Sequence, residues 1–102
     1  MPRITLTVTT SKRLDLFVET IDSFIACCAD LLQIREWICV DDNSSEADRK
    51  AMAERYPFFR FILKGPDERG HARSMNRILD LVDTRWAFHL EDDWRFTKPV
   101  VL

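Results

Sequence analysis

Apolar residues occur along the chain in two alternating patterns, short continuous runs and longer stripes. The runs lie at residues 4–10, 37–40, 58–63 and 86–90 and are rich in β-branched or aromatic residues, which is typical of buried strands. Between the first two runs, apolar residues recur every three or four positions, at Leu14, Phe17, Val18, Ile21, Phe24, Ile25 and Cys28. This spacing predicts a long amphipathic helix.

Two further helices are predicted downstream. Ser45 with Asp48 three residues later resembles a capping box, so a helix is expected to begin there and to end before Pro57. The stripe of the third helix consists of Ala72, Met75, Leu79 and Val82. Strands that alternate with helices predict βαβ units with right-handed crossovers, and therefore a parallel sheet in a single α/β domain over residues 1–102.

Composition and charge exclude several classes of partner. The net charge is −2 and no basic face is formed, so nucleic acid is not expected to bind. The three cysteines are an odd number without a C-x-x-C pair, which favours reduced thiols over a disulfide framework or a zinc site. No stretch approaches the length of a membrane span, and the first ten residues lack the apolar run of a signal peptide. The sequence thus predicts a cytoplasmic protein.

Carboxylates follow two of the predicted strands, Asp41 and Asp42 after the second and Glu91, Asp92 and Asp93 after the fourth. In parallel sheets, ligands bind beyond the carboxyl ends of the strands, near the point where strand order reverses. Side chains alternate along an extended chain, so Glu91 and Asp93 should point one way and Asp92 the other. Such a pair suits Mn²⁺ or Mg²⁺ with positions left open for phosphate oxygens. For the first cluster, a turn stabilised by Asp and Asn side chains is the alternative.

Four segments resemble, in their order and distances, the nucleotide-binding half of a GT-A glycosyltransferase, most similar to family 2. The segments are ITLTVTTSKR, ICVDDNSS, GHARSMN and FHLEDDW, and together they cover nearly the whole chain. The resemblance implies a Rossmann-like three-layer sandwich whose four-stranded, mostly parallel sheet has the order 3-2-1-4. It also implies binding of a nucleoside-diphosphate sugar, with UDP favoured, for transfer of the sugar to an unknown acceptor.

Carried over by position, the resemblance assigns a nucleotide-binding role to residues from the first two segments. Thr9, Thr10 and Ser11 would line the base pocket. One carboxylate of the pair Asp41 and Asp42 would accept a hydrogen bond from the base imide N–H, and Asp41, as the first of its motif, is the expected one.

The other two segments would contact the phosphates and the metal. Arg73, at the start of the third helix, would lie near the base or the phosphates. Asp93, with Glu91 or Asp92 assisting, would hold the metal and the ribose-diphosphate, so that Glu91 and Asp93 are the expected metal ligands and Asp92 a nucleotide contact. A divalent ion there would neutralise charge on the departing diphosphate.

The chain departs from the family pattern at three positions in two of its motifs. Ser11 and Lys12 stand where Tyr and Asn are usual, and Ser74 stands where the third motif has Asn. These departures leave the nucleotide open. GT-A enzymes carry the acceptor site and, in inverting members, the catalytic base in a second half, and no residue after Asp93 is placed to be that base. The chain is therefore expected to be the donor-binding part of a longer, inverting transferase; the alternative is a non-catalytic nucleotide-binding or interaction module of the same fold.

Overall fold

The computed structural model describes residues 3–65, 67 and 70–102. Along these residues strands and α-helices alternate, and a 3-10 helix at Leu31–Gln33 precedes the second strand. The elements are β1 (Ile4–Thr10), α1 (Leu14–Cys27), β2 (Ile34–Asp42), α2 (Glu46–Arg55), β3 (Phe59–Lys64), α3 (His71–Leu81) and β4 (Trp86–Glu91). Each predicted element is present, and β2 is longer at both ends than its apolar core indicated.

The four strands form one parallel sheet in the order β3-β2-β1-β4, which confirms the predicted α/β fold and strand order. The chain builds outward from β1 to β3 and then crosses back to place β4 on the other side of β1. Strand order therefore reverses between β1 and β4, and Thr9 of β1 lies in register with Val40 on one side and Glu91 on the other. The carboxyl ends of β1, β2 and β4 consequently meet at one edge.

The hydrophobic core lies between the sheet and helices α1 and α2. Phe17, Ile21 and Phe24 of α1 are fully buried against Leu6 and Val8 of β1, as the predicted stripe requires. Complete burial of each such side chain contributes about 1.5–3 kcal/mol. This packing fixes α1 on one face of the sheet, with its first turn beside the edge where the strands end.

Helix α2 begins and ends as predicted. The Ser45 hydroxyl accepts a hydrogen bond from the backbone N–H of Asp48 at 3.1 Å, and the helix ends at Arg55, before Pro57. The following residue, Tyr56, packs its ring on Phe17.

The apolar stripe predicted for α3 is only partly correct. The side chains turned toward the sheet are Ser74 and Ile78, which are 2% and 3% exposed, whereas Leu79 is 71% exposed. Residues four apart share a helix face, and α3 packs on β2 and β1 through the face that carries Ser74 and Ile78. Ser74 faces the sheet although it is polar, because its hydroxyl accepts a hydrogen bond from the buried Lys64 ammonium at 2.8 Å.

The segment after β4 runs back along α1 and is held by polar side chains of that helix. The Thr20 hydroxyl accepts from the N–H of Trp94 at 3.0 Å and donates to its carbonyl at 2.7 Å. The Ser23 hydroxyl accepts from the N–H of Phe96 at 2.9 Å. These bonds fix the chain immediately beyond the acidic run.

The cysteines are unpaired, and Cys28 and Cys39 are buried. Burial raises the pKa of both thiols. Over the ranges that the structure describes, no helix has the length and apolar character needed to cross a membrane.

Candidate functional site

A cleft of about 160 Å³ opens at the carboxyl edge of the sheet, beside the reversal of strand order. It is lined by Thr9, Thr10, Ser11, Arg13, Asp42, Ser74 and Glu91. Ligand pockets typically measure roughly 300–1,000 Å³, so this cleft has room for part of a nucleotide-sized ligand. A larger cavity of about 550 Å³ lies at the opposite end of the sheet, beside Ile4 and Trp86. The smaller cleft is the candidate site because the predicted polar residues converge there.

Asp41 is turned away from the cleft, toward α2. It is 0% exposed, and its Oδ2 accepts hydrogen bonds from Arg49 Nε at 2.5 Å and from the N–H of Ser44 at 3.3 Å. Its Oδ1 has no hydrogen-bond partner among the described residues. A ligand in the cleft cannot reach this carboxylate, so the expected preference for Asp41 as the base acceptor does not fit the geometry.

Asp42 points to the opposite face, as strand alternation requires, and lines the cleft. Its Oδ2 accepts from the N–H of Gly70 at 2.9 Å, its Oδ1 accepts from Asn43 Nδ2 at 2.9 Å, and Lys64 Nζ lies 3.6 Å from Oδ1. Partial burial raises the pKa of Asp42, but the hydrogen bonds from Gly70 and Asn43 and the Lys64 charge outweigh it and hold the pKa below its usual value. Asp42 therefore presents an ionised carboxylate to the cleft.

Glu91 lies on the same face of the sheet as Asp42. Thr9 Oγ1 donates to Glu91 Oε2 at 2.9 Å, and His89 Nε2 lies 3.2 Å from Glu91 Oε1. The other ring nitrogen of His89 is 2.9 Å from the hydroxyl of Thr7, so both ring nitrogens of this strand residue have partners within the protein. Glu91 keeps a side chain that is 36% exposed at the wall of the cleft.

Asp92 lies on the other face, toward α1, so Glu91 and Asp92 point opposite ways as predicted. Asp93, beyond the end of β4, lies beside Arg13 and does not line the cleft with Glu91. It is 0% exposed and accepts hydrogen bonds from the Thr10 hydroxyl at 2.8 Å, the N–H of Ser11 at 3.4 Å and Arg13 Nη2 at 2.5 Å. Because Asp92 is buried and already accepts these hydrogen bonds, it is not available to contact a nucleotide bound in the cleft. Its geometry is that of a support for the turn between β1 and α1.

Asp93 and Arg13 are the more exposed charged residues beside the carboxylates at the end of β4. The Asp93 side chain is 50% exposed and lies 4.0 Å from Arg13 Nη1, while Arg13 itself is 49% exposed and lines the cleft. Sequence reasoning did not assign Arg13 a role. The available signal was a basic residue three positions after β1, at the sheet edge where three consecutive carboxylates were also expected.

Two expected contributors lie in different positions relative to the cleft. Ser11 lines it, and its hydroxyl donates to the backbone carbonyl of Asp42 at 2.7 Å. Arg73 is exposed on the first turn of α3, where its guanidinium donates to the backbone carbonyl of Asp67, and it is not part of the cleft lining.

Two carboxylates on the open side of the edge, Glu91 and Asp93, are oxygen donors of the class that hard divalent ions take as ligands. The Glu91 and Asp93 side chains are 36% and 50% exposed, although Glu91 accepts a hydrogen bond from Thr9 and Asp93 lies 4.0 Å from Arg13. Asp92 is fully buried and pairs with Arg13. Within residues 3–65, 67 and 70–102, no set of three acidic, histidine or cysteine side chains is arranged to hold a metal. Mg²⁺ and Mn²⁺ sites in which one or two carboxylates are completed by phosphate oxygens and water match such a donor set.

Comparison of the sequence with protein-family models and with curated proteins gives no match. The interpretation of the site consequently depends on its own geometry and chemistry.

Proposed function

We propose that this protein binds a nucleoside-diphosphate sugar and serves as the donor-binding domain of a GT-A glycosyltransferase that acts on an unknown acceptor with inversion. The observation that carries the proposal is the convergence of Thr9, Thr10, Ser11, Asp42 and Glu91 on one cleft at the point where strand order reverses. Ligands of open parallel sheets bind at this place. The proposed compartment is the cytoplasm, in keeping with the three unpaired cysteines.

In this proposal Asp42 recognises the base. An ionised carboxylate accepts the imide N–H of uracil through a charge-assisted hydrogen bond. It repels cytosine and adenine, which present a ring-nitrogen acceptor at the corresponding edge. Uridine nucleotides should therefore bind more tightly than cytidine nucleotides.

In the proposal, the metal ion would bind on the opposite side of the cleft from Asp42. Glu91 and Asp93 would hold Mn²⁺ or Mg²⁺, and the ion would neutralise negative charge on the diphosphate. Arg13, between Asp92 and Asp93, adds a fixed positive charge close to the same position. We assign none of the cleft residues as the base that deprotonates the acceptor.

The decisive experiment is a calorimetric titration with UDP, CDP, GDP and ADP, each with and without Mn²⁺. UDP should bind most tightly, and only in the presence of Mn²⁺. Asp42→Asn should weaken UDP binding about 10- to 100-fold, because a hydrogen bond to a charged group contributes about 1.5–3 kcal/mol. It should also reduce the preference for UDP over CDP, since the asparagine amide can donate to cytosine. Asp80→Asn, an exposed position on α3, is the matched control and should bind UDP as the wild type does.

Two results would count against the proposal. Equal affinity for all four nucleotides would show that Asp42 does not recognise the base. Unchanged UDP binding in EDTA would show that no metal ion at Glu91 and Asp93 takes part in nucleotide binding.

A further inference from the structure

Lys64, the last residue of β3, is a charged residue that is buried at the end of an apolar run. It follows the apolar run at residues 58–63, and its side chain is 0% exposed. Removing an ammonium group from water is costly unless it is paired and hydrogen-bonded. An apolar residue that filled the same space would avoid this cost, so stability alone does not call for a lysine.

The Lys64 ammonium makes polar contacts with residues at the start of α3 and with Asp42, beside the cleft. It donates to the carbonyl of Gly70 at 2.8 Å and to the hydroxyl of Ser74 at 2.8 Å, and it lies 3.6 Å from Asp42 Oδ1. Gly70 in turn donates its N–H to Asp42 Oδ2 at 2.9 Å. Lys64, Gly70 and Asp42 thus form a closed triangle in which both polar groups of the Gly70 backbone are used.

The backbone at two corners of this triangle, Gly70 and Lys64, is constrained. Gly70 has φ +113°, a conformation that side-chain-bearing residues rarely adopt, and α3 starts at the next residue. The carbonyl of Lys64 accepts a hydrogen bond from Arg49 Nη2 at 2.8 Å, which fixes the end of β3 to α2. Lys64 therefore connects the end of β3 to the start of α3, the helix that contributes Ser74 to the cleft lining.

We propose that Lys64 is a positioning residue for the nucleotide site, whose buried ammonium fixes the Gly70 amide and the Asp42 carboxylate so that Asp42 faces the ligand. This inference rests on the proposed function, because the ligand it serves is the uridine nucleotide assigned to the cleft. Lys64 itself does not line the cleft and acts through Asp42.

The first test is a double-mutant cycle on UDP affinity in the presence of Mn²⁺. Lys64→Met should weaken binding about tenfold in the wild-type background, corresponding to the loss of about one charge-assisted hydrogen bond. The same substitution should have almost no effect in the Asp42→Asn background, because its partner is already changed. Lys50→Met, which removes a largely exposed lysine from α2, is the matched control and should leave affinity unchanged.

A second measurement is independent of any ligand. The amide of Gly70 should give a downfield proton resonance that exchanges slowly with solvent, because it donates to a carboxylate. Lys64→Met should move this resonance upfield and speed its exchange, and Lys50→Met should not. Lys64→Gln keeps a donor for the Gly70 carbonyl but lacks the charge, so it should fold even if Lys64→Met does not and should show the same changes in smaller measure.

The outcomes separate the two proposals. Wild-type UDP affinity or an unchanged Gly70 resonance in a folded Lys64 variant would overturn the positioning role. Additive effects of Lys64→Met and Asp42→Asn would overturn it as well, since Lys64 would then act independently of Asp42. Failure of the wild-type protein to bind any nucleoside diphosphate would overturn the proposed function, while a shifted Gly70 amide would still support the role of Lys64 in arranging Asp42.

Discussion

The burial of Asp41 predicts that replacing Arg49 with methionine will destabilise the protein strongly. Arg49 donates to Asp41 at 2.5 Å and to the carbonyl of Lys64 at 2.8 Å. Methionine retains much of the aliphatic volume but removes both hydrogen bonds and the charge. Asp41 is 0% exposed and, among the described residues, would keep the Ser44 N–H at 3.3 Å as its one hydrogen-bond donor.

The magnitude follows from this loss. Removing one partner of a buried ion pair costs about 3–5 kcal/mol, because the remaining charge stays buried without compensation. The Arg49 side chain is 24% exposed, so solvent screens part of the interaction and the lower end of that range, about 3 kcal/mol, is expected. With a urea m-value of roughly 1.5 kcal/mol per M, the unfolding midpoint should fall by about 2 M.

Equilibrium urea unfolding followed by circular dichroism measures this difference. Lys50→Met on the same helix is the control, and its exposed side chain should change the free energy of unfolding by less than about 0.5 kcal/mol. Adding Asp41→Asn to Arg49→Met should restore part of the stability, because the unpaired buried charge disappears. If Arg49→Met unfolded at the same midpoint as Lys50→Met, Asp41 would not be a buried carboxylate that depends on Arg49, and it would again be a candidate for contact with the base.

Further predictions concern the metal, a helix cap and the response to alkali. Asp93→Ala should abolish the gain in UDP affinity that Mn²⁺ gives in calorimetry; a persisting gain would show that the ion binds elsewhere. Ser45→Ala should lower the free energy of unfolding by about 1 kcal/mol in urea titrations, and Ser45→Asp should restore most of it, because either polar side chain can accept the Asp48 N–H. Burial, together with the hydrogen bond to Asp22, raises the pKa of Tyr56 to about 12, so the folded state holds this proton more tightly than the unfolded chain, whose tyrosine titrates near about 10. The stabilisation is complete below about pH 10 and is lost as the pH rises toward 12; Tyr56→Phe should reduce the fall in unfolding free energy over this interval, and an equally steep fall would contradict the assignment.

Local patterns predicted the fold well because each depends on residues close in sequence. The spacing of apolar residues in α1 follows the 3.6-residue period, and the run Ile4–Thr10 is β1 to the residue. The stripe of α3 was less well predicted. Its inward face contains Ser74, which is buried by a hydrogen bond to Lys64 ten residues earlier and not by hydrophobicity.

The carboxyl edge was also predicted, because the ends of parallel strands must lie together once the order 3-2-1-4 is given. The roles within each acidic cluster were harder to predict. Asp41 and Asp42 are chemically identical, and only the face to which each points separates a buried support of α2 from a wall of the cleft.

The sequence by itself determined the alternation of strands and helices, the cap of α2 and the placement of acidic groups at the carboxyl ends of β2 and β4, since these depend on local periodicity and local hydrogen bonding. Tertiary structure alone decided which cation pairs with which carboxylate. Arg13 meets Asp92 across 79 positions of sequence, Arg49 meets Asp41 across 8, and Lys64 meets Asp42 across 22. Charged side chains carry no periodic signal of their partners. A partner is fixed when packing brings the two groups together and excludes the water that would otherwise solvate them.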